Sequence, residues 1–168
     1  MAELIQNKVI VDKKKVKDAL IQKGFGEKDG KDLVLDLKEA VYLIEKEKIE
    51  VIHKEKKLSA KKLLAYASAR EARFYSKYIV FKDLRDRGYC VKTGFKFGFE
   101  FRVYPRGKKA GEAHTERVVK VFTQDDRKGL IELSRMVRLA GNLKTQCTFA
   151  VVDSENDINY YFIERITP

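Results

Sequence analysis

Apolar residues follow two different rhythms along this chain. In the first part, short β-like runs alternate with helix-spaced positions. Val9-Ile10-Val11 predicts a strand, and Val16, Ala19 and Leu20 continue at the spacing of an amphipathic helix. Gly24-Phe25-Gly26 breaks that helix, and Gly30 marks a further turn. Leu33-Val34-Leu35 reads as a strand, Leu37, Ala40, Val41, Leu43 and Ile44 as one face of a helix, and Ile49 to Ile52 as a half-buried strand. Ser59 is placed to cap a helix that starts at Ala60. The helical rhythm then runs from Leu63 to about Asp86 without glycine or proline, which is long for one globular helix. A break at Arg70 to Arg73 is expected there, and with it the junction between two domains, 1–73 and 74–168.

The second part is strand-rich. Tyr89 to Thr93 and Phe99 to Tyr104 read as strands joined across Gly94 to Gly98, and Arg117 to Thr123 as a third. A helix is expected over Asp125 to Ala140, with Gly141 as its C-cap. Thr148 to Val152 and Ile158 to Ile163 would be two more strands around the acidic turn Asp153 to Asp157. The pattern predicts an α/β (α+β) protein: a small mixed N-terminal domain, then a C-terminal domain with a central mixed β-sheet flanked by helices.

Composition narrows the chemistry. The chain has 168 residues, of which 44% are apolar, enough for modest cores. Lys and Arg total 36 against 25 acidic residues, a net charge of +11. Such an excess points to a polyanionic partner. No long apolar run, lipidation signal or secretory leader speaks for a membrane. Cys90 and Cys147 stand apart in strand-like surroundings, which predicts buried thiols and an intracellular, cytoplasmic protein.

Several site types are missing from the sequence. Gly94 to Gly98 has the wrong spacing for a nucleotide-phosphate loop, so no cofactor is expected. HExxH is absent, and Glu100-Phe101-Arg102 only approaches the Glu-x-Lys of metal nucleases, so no metal site is expected. His53 has no chemical context and reads as an ordinary exposed residue. Arg85, Arg87, Lys92, Lys96, Arg102, Arg106, Lys108 and Lys109 interleave with Tyr89, Phe95, Phe97, Phe99, Phe101 and Tyr104. The aromatics suit the core face of strands, and the basic residues suit an RNA-phosphate surface, Arg106 and Lys108 above all.

His114 follows Tyr104 across a loop of basic and small residues. Tyrosine or histidine can move a proton, and a lysine can offset charge building on phosphorus. A hairpin that happens to hold a histidine is the plain alternative. The stretch from Lys77 to Gly107 changes the balance. It resembles the start of the catalytic domain of archaeal tRNA-splicing endonucleases. The resemblance is carried by Asp83-Leu84-Arg85-Asp86-Arg87-Gly88-Tyr89, by Val91 to Gly94, and by the aromatic-rich strand that delivers Tyr104. Arg138-Leu139-Ala140 and Ala150-Val151-Val152-Asp153 match later segments.

The resemblance implies a nuclease-like C-terminal domain and metal-independent cleavage of intron-containing precursor tRNA at a bulge-helix-bulge. The ends would be a 2′,3′-cyclic phosphate and a 5′-hydroxyl. Tyr104 would be the general base, His114 the general acid, and Arg138 a clamp on the bulged nucleotides. Phenols ordinarily titrate at about 10, so such a base needs a neighbouring cation or a concerted transfer. The third catalytic position falls on Thr145 by ungapped counting from Ala150. Lys144 is one residue earlier, so a bulge or helix-end adjustment is needed to bring it in. A homotetramer, or a heterotetramer with a second subunit, is also implied, with Asp153 to Asp157 and Asn159 to Ile163 as assembly edges. Two alternatives remain: a non-catalytic structural subunit of the same enzyme, and a metal-dependent DNA nuclease.

Overall fold

The computed structural model describes residues 2–93 and 98–168. Residues 94–97 of the expected connection between two strands, with Phe95, Lys96 and Phe97, lie outside the described residues. The chain forms two compact units, divided between Tyr75 and Ser76.

The first unit is a six-stranded sheet with three helices. Its strands are β1 (Ala2–Ile5), β2 (Lys8–Val11), β3 (Glu27–Asp29), β4 (Asp32–Asp36), β5 (Val51–His53) and β6 (Lys56–Leu58), in spatial order β3-β4-β2-β1-β5-β6. The helices are α1 (Lys14–Gln22), α2 (Leu37–Glu45) and α3 (Ala60–Ser68). Asp36 starts α2 through a capping box: its Oδ1 accepts from the Lys38 N–H at 2.8 Å, and Glu39 Oε2 accepts from the Asp36 N–H at 3.0 Å. Ser59 caps α3 by accepting from the Lys62 N–H. The chain breaks after α3, with Arg73 at φ 59°, and α4 begins at Phe74. His53 is half-buried rather than exposed, because its ring lies edge-on to Tyr66 with centroids 5.8 Å apart.

The second unit is a five-stranded sheet covered on both faces. Its strands are β7 (Cys90–Thr93), β8 (Phe101–Tyr104), β9 (Arg117–Thr123), β10 (Gln146–Val152) and β11 (Ile158–Ile163), in order β11-β10-β9-β8-β7. Only β9 and β10 run parallel, joined by helix α5 (Leu130–Asn142), as a parallel pair requires. Helix α4 (Phe74–Asp86) covers one face, with the rings of Phe81 and Phe101 5.9 Å apart. On the other face Ala140 of α5 clusters with Val118, Phe122, Cys147 and Phe149. Burial on both faces explains why β9 and β10 are nearly continuous apolar runs rather than alternating ones.

Helix α5 departs from expectation at both ends. It begins at Leu130 behind Gly129, not at Asp125. The Asp126 carboxylate instead accepts from the Thr123 N–H at 2.9 Å and closes a turn at the end of β9. Gly141 is inside the helix, and the residue that takes the left-handed conformation at its C-terminus is Lys144, at φ 55°.

Candidate active site

One edge of the second sheet gathers the sequence-flagged side chains, and strand directions explain why. β8 ends at Tyr104 where β9 begins, because the two are antiparallel and Val103 pairs with Arg117. β10 begins beside them, because Gln146 pairs with Arg117 in the parallel ladder. The residues just before β9 and just before β10 therefore meet at the same edge. His114 lies three residues before β9 and Lys144 two residues before β10. The Gln146 N–H donates to the Glu116 carbonyl at 3.1 Å, which ties the two approaches together.

A cavity of about 810 Å³ opens at this edge, and His114, Arg138 and Lys144 all line it. Pro105, Gln146 and Arg165 are also in its wall. His114 and Arg138 are exposed, so both reach solvent. Tyr104 is 5% exposed and is not in the lining. By strand alternation it shares a face with Arg102, whose partner Val118 packs in the α5 cluster. Its ring is too covered to act as a stacking platform for a base.

Lys144 reaches the cavity through the way α5 ends. The Lys144 N–H donates to the Gly141 carbonyl and the Thr145 N–H to the Ala140 carbonyl, both at 3.0 Å. This pair of bonds is a Schellman turn, with Lys144 at the position that glycine usually fills. Thr145 lines the cavity too, but its hydroxyl is 3.3 Å from the Ala140 carbonyl and serves the helix end.

The other basic candidates are placed elsewhere. Arg106 and Lys108 are exposed and outside the cavity lining. The Arg106 guanidinium lies 4.8 Å from the centroid of the Tyr89 ring. Lys92 is buried, with 8% exposure, so it is not part of a phosphate surface. Arg87 donates from Nε to Asp83 Oδ2 at 2.8 Å, and that same oxygen accepts from the Tyr160 hydroxyl at 2.6 Å. The Asp83 to Tyr89 motif thus ties α4 to the edge strand β11. Burial, followed by the Asp83 carboxylate, pushes the Tyr160 phenol well above the usual tyrosine range.

Both cysteines are buried. Cys147 touches the cavity wall, but burial pushes its thiol up to about 11, so it stays protonated and unreactive near neutral pH. Among the described residues no group of His, Cys, Asp and Glu could hold a metal ion, and no helix is long and apolar enough to cross a membrane. Sequence reasoning missed Glu116, Asn142 and Arg165 in the cavity wall. None of them carries a pattern signal: Glu116 comes with the start of β9, Asn142 with the end of α5 and Arg165 with the chain after β11.

The sequence that builds this sheet falls within a described family. Residues 74–160 match the family described as tRNA intron endonuclease, catalytic C-terminal domain, and residues 1–64 match its N-terminal domain. The tRNA-splicing endonuclease of Thermococcus kodakarensis is 42% identical over 134 residues, covering 80% of this chain and 78% of that one. That of Methanothermobacter thermautotrophicus is 39% identical over 136 residues, covering 81% and 79%. That of Methanococcoides burtonii is 37% identical over 164 residues, 98% of this chain but 46% of the relative. The chain belongs to the tRNA intron endonuclease family.

Proposed function

We propose that this chain excises introns from precursor tRNA by cutting at a bulge-helix-bulge, without a metal ion. Tyr104, acting as the phenolate, takes the proton of the ribose 2′-hydroxyl, and the 2′-oxygen attacks phosphorus. The bond from phosphorus to the 5′-oxygen breaks, and His114 delivers a proton to that oxygen. Lys144 offsets the charge that builds on the phosphoryl oxygens between these events. The ends left are a 2′,3′-cyclic phosphate and a 5′-hydroxyl. Arg138 holds a bulged nucleotide by stacking and phosphate contact.

The observation that carries this reading is one cavity lined by His114, Lys144 and Arg138 at the strand edge where Tyr104 ends β8. With Arg165, four basic side chains line one opening, which suits a phosphodiester, and the +11 charge suits its RNA. Excision needs two cuts, which favours assembly into a homotetramer or a heterotetramer. The edge strand β11 supports such assembly, since Tyr161 and Phe162 are 53% and 55% exposed on it.

Incubating the purified protein with intron-containing precursor tRNA in EDTA tests the reading. Cutting to cyclic-phosphate ends is expected, and a strict need for magnesium would overturn it. His114→Ala should slow single-turnover cleavage by about 10² to 10⁴, the usual contribution of a general acid. Unchanged cleavage would remove His114 from the mechanism.

A further inference from the structure

We propose that Tyr89 is a positioning residue for His114, because its ring holds both feet of the loop that carries the histidine. The inference rests on His114 acting as the general acid.

The loop from Pro105 to Glu116 leaves β8 and enters β9. It is built from two successive turns. The Lys108 N–H donates to the Pro105 carbonyl, and the Glu112 N–H to the Lys109 carbonyl, each at 3.0 Å. Gly107 at φ 77° and Gly111 at φ 89° occupy the third position of these turns, where a type II turn requires a positive φ. The Glu112 carboxylate also accepts from the Lys109 N–H at 3.2 Å and lies 3.8 Å from its ammonium. All of these contacts are internal to the loop. They give it a shape but do not say where it sits.

Its placement comes from the feet. The Glu116 N–H donates to the Val103 carbonyl at 2.9 Å, which closes the base of the loop. Above that, two guanidinium groups share one aromatic ring. Arg106, in the first turn, lies 4.8 Å from the Tyr89 centroid, and Arg117, the first residue of β9, lies 5.7 Å from it. Arg117 Nε is buried without a hydrogen-bond partner, so the ring is part of what offsets its desolvation. Its NH2 meets Glu116 Oε1 at 2.6 Å. Tyr89 follows Gly88 at the end of α4 and precedes β7, so the ring is anchored on an ordered part of the unit. Removing it frees the outgoing foot of the loop while the base bond stays.

Loss of acid positioning and loss of RNA contact give different kinetics. We would compare single-turnover cleavage of two matched RNAs by the full chain, one with the natural 5′-oxygen and one with sulfur in its place at the scissile bond. A thiolate departs without a proton, so the sulfur RNA does not need the acid. Tyr89→Leu should slow the oxygen RNA about tenfold and the sulfur RNA less than about twofold, since only general-acid catalysis is weakened. Tyr89→Phe keeps the ring face and should behave as the unaltered protein.

Equal slowing of both RNAs by Tyr89→Leu, or no slowing of either, overturns the inference. So does Tyr89→Phe behaving like Tyr89→Leu. If Tyr89→Leu does not fold, Arg106→Gln removes the same contact from the other side and should give the same split; equal loss on both RNAs would show a phosphate contact instead. His114→Ala is run in parallel. If sulfur does not restore its cleavage, the acid assignment falls and this inference with it; if sulfur restores His114→Ala but not Tyr89→Leu, only the inference falls.

Discussion

Helices α4 and α5 end in the same backbone turn, built on different residues. At the end of α4 the Gly88 N–H donates to the Arg85 carbonyl at 2.9 Å and the Tyr89 N–H to the Leu84 carbonyl at 3.1 Å, with Gly88 at φ 93°. At the end of α5 the corresponding residue is Lys144 at φ 55°. Glycine takes this conformation freely, whereas a side chain there crowds the following carbonyl and costs about 1–2 kcal/mol. The α4 turn is thus the relaxed version and the α5 turn the strained one, and the strained one faces the cavity. Strain alone does not mark this site, since Glu47 after α2 has φ 55° and lies outside its lining. A strained residue that also brings a cation to a basic cavity fits a position kept for its charge.

Exchanging the residues tests that contrast. Lys144→Gly should cut cleavage by about 100-fold, the scale of losing one charge-stabilising group. The same substitution should stabilise the fold by about 1 kcal/mol, read as a higher midpoint in urea unfolding. Lower activity with higher stability is the signature; a loss of both would end the comparison. Gly88→Lys should cost about 1–2 kcal/mol through backbone strain. A Cβ there meets nothing within 4 Å, so no steric clash adds to it.

The smallest effect concerns what the α4 end holds. Tyr160→Phe removes the 2.6 Å bond to Asp83 and should cost about 1 kcal/mol at neutral pH. The folded protein holds the Tyr160 phenol above its ordinary value, so it favours the neutral form. That stabilisation is fully present below about pH 10 and is lost as pH rises beyond it. Urea midpoints measured from pH 8 to 11 should therefore fall less steeply above pH 10 in Tyr160→Phe than in the unaltered protein.

These turns also show where the sequence was readable. Apolar spacing located all five helices of the described residues, because each buries a face at its own period. Ser59 and the break at Arg70 to Arg73 were visible as a cap and as an overlong rhythm. The strands β1, β3 and β6 were not: β1 buries only Ala2 and Leu4, Glu27-Lys28-Asp29 is exposed throughout, and Lys56-Lys57-Leu58 is nearly so. β3 and β6 exist because a hairpin partner pairs with them, not because of burial. Gly141 reads as a cap in the sequence, but the helix runs on past it and leaves the turn to Lys144, which composition cannot show. The basic and aromatic interleaving was legible as a pattern but not as geometry. Lys92 faces inward, and Arg106 lies on Tyr89.

The parallel pairing of β9 and β10 has a consequence for how this unit tolerates change. His114 and Lys144 are indexed to the starts of two neighbouring strands, not to the length of chain between them. Residues 124 to 129 join the far end of β9 to α5, and α5 is fixed again where it packs on β10 and ends at Asn142. Insertions or deletions in that outer connection leave the strand starts in register. A residue added between Lys144 and β10 should instead displace the lysine, because it separates the turn that ends α5 from the strand start it is indexed to. The unit behaves as a ruler whose zero mark is the sheet edge, and the far end can vary in length without moving the reading.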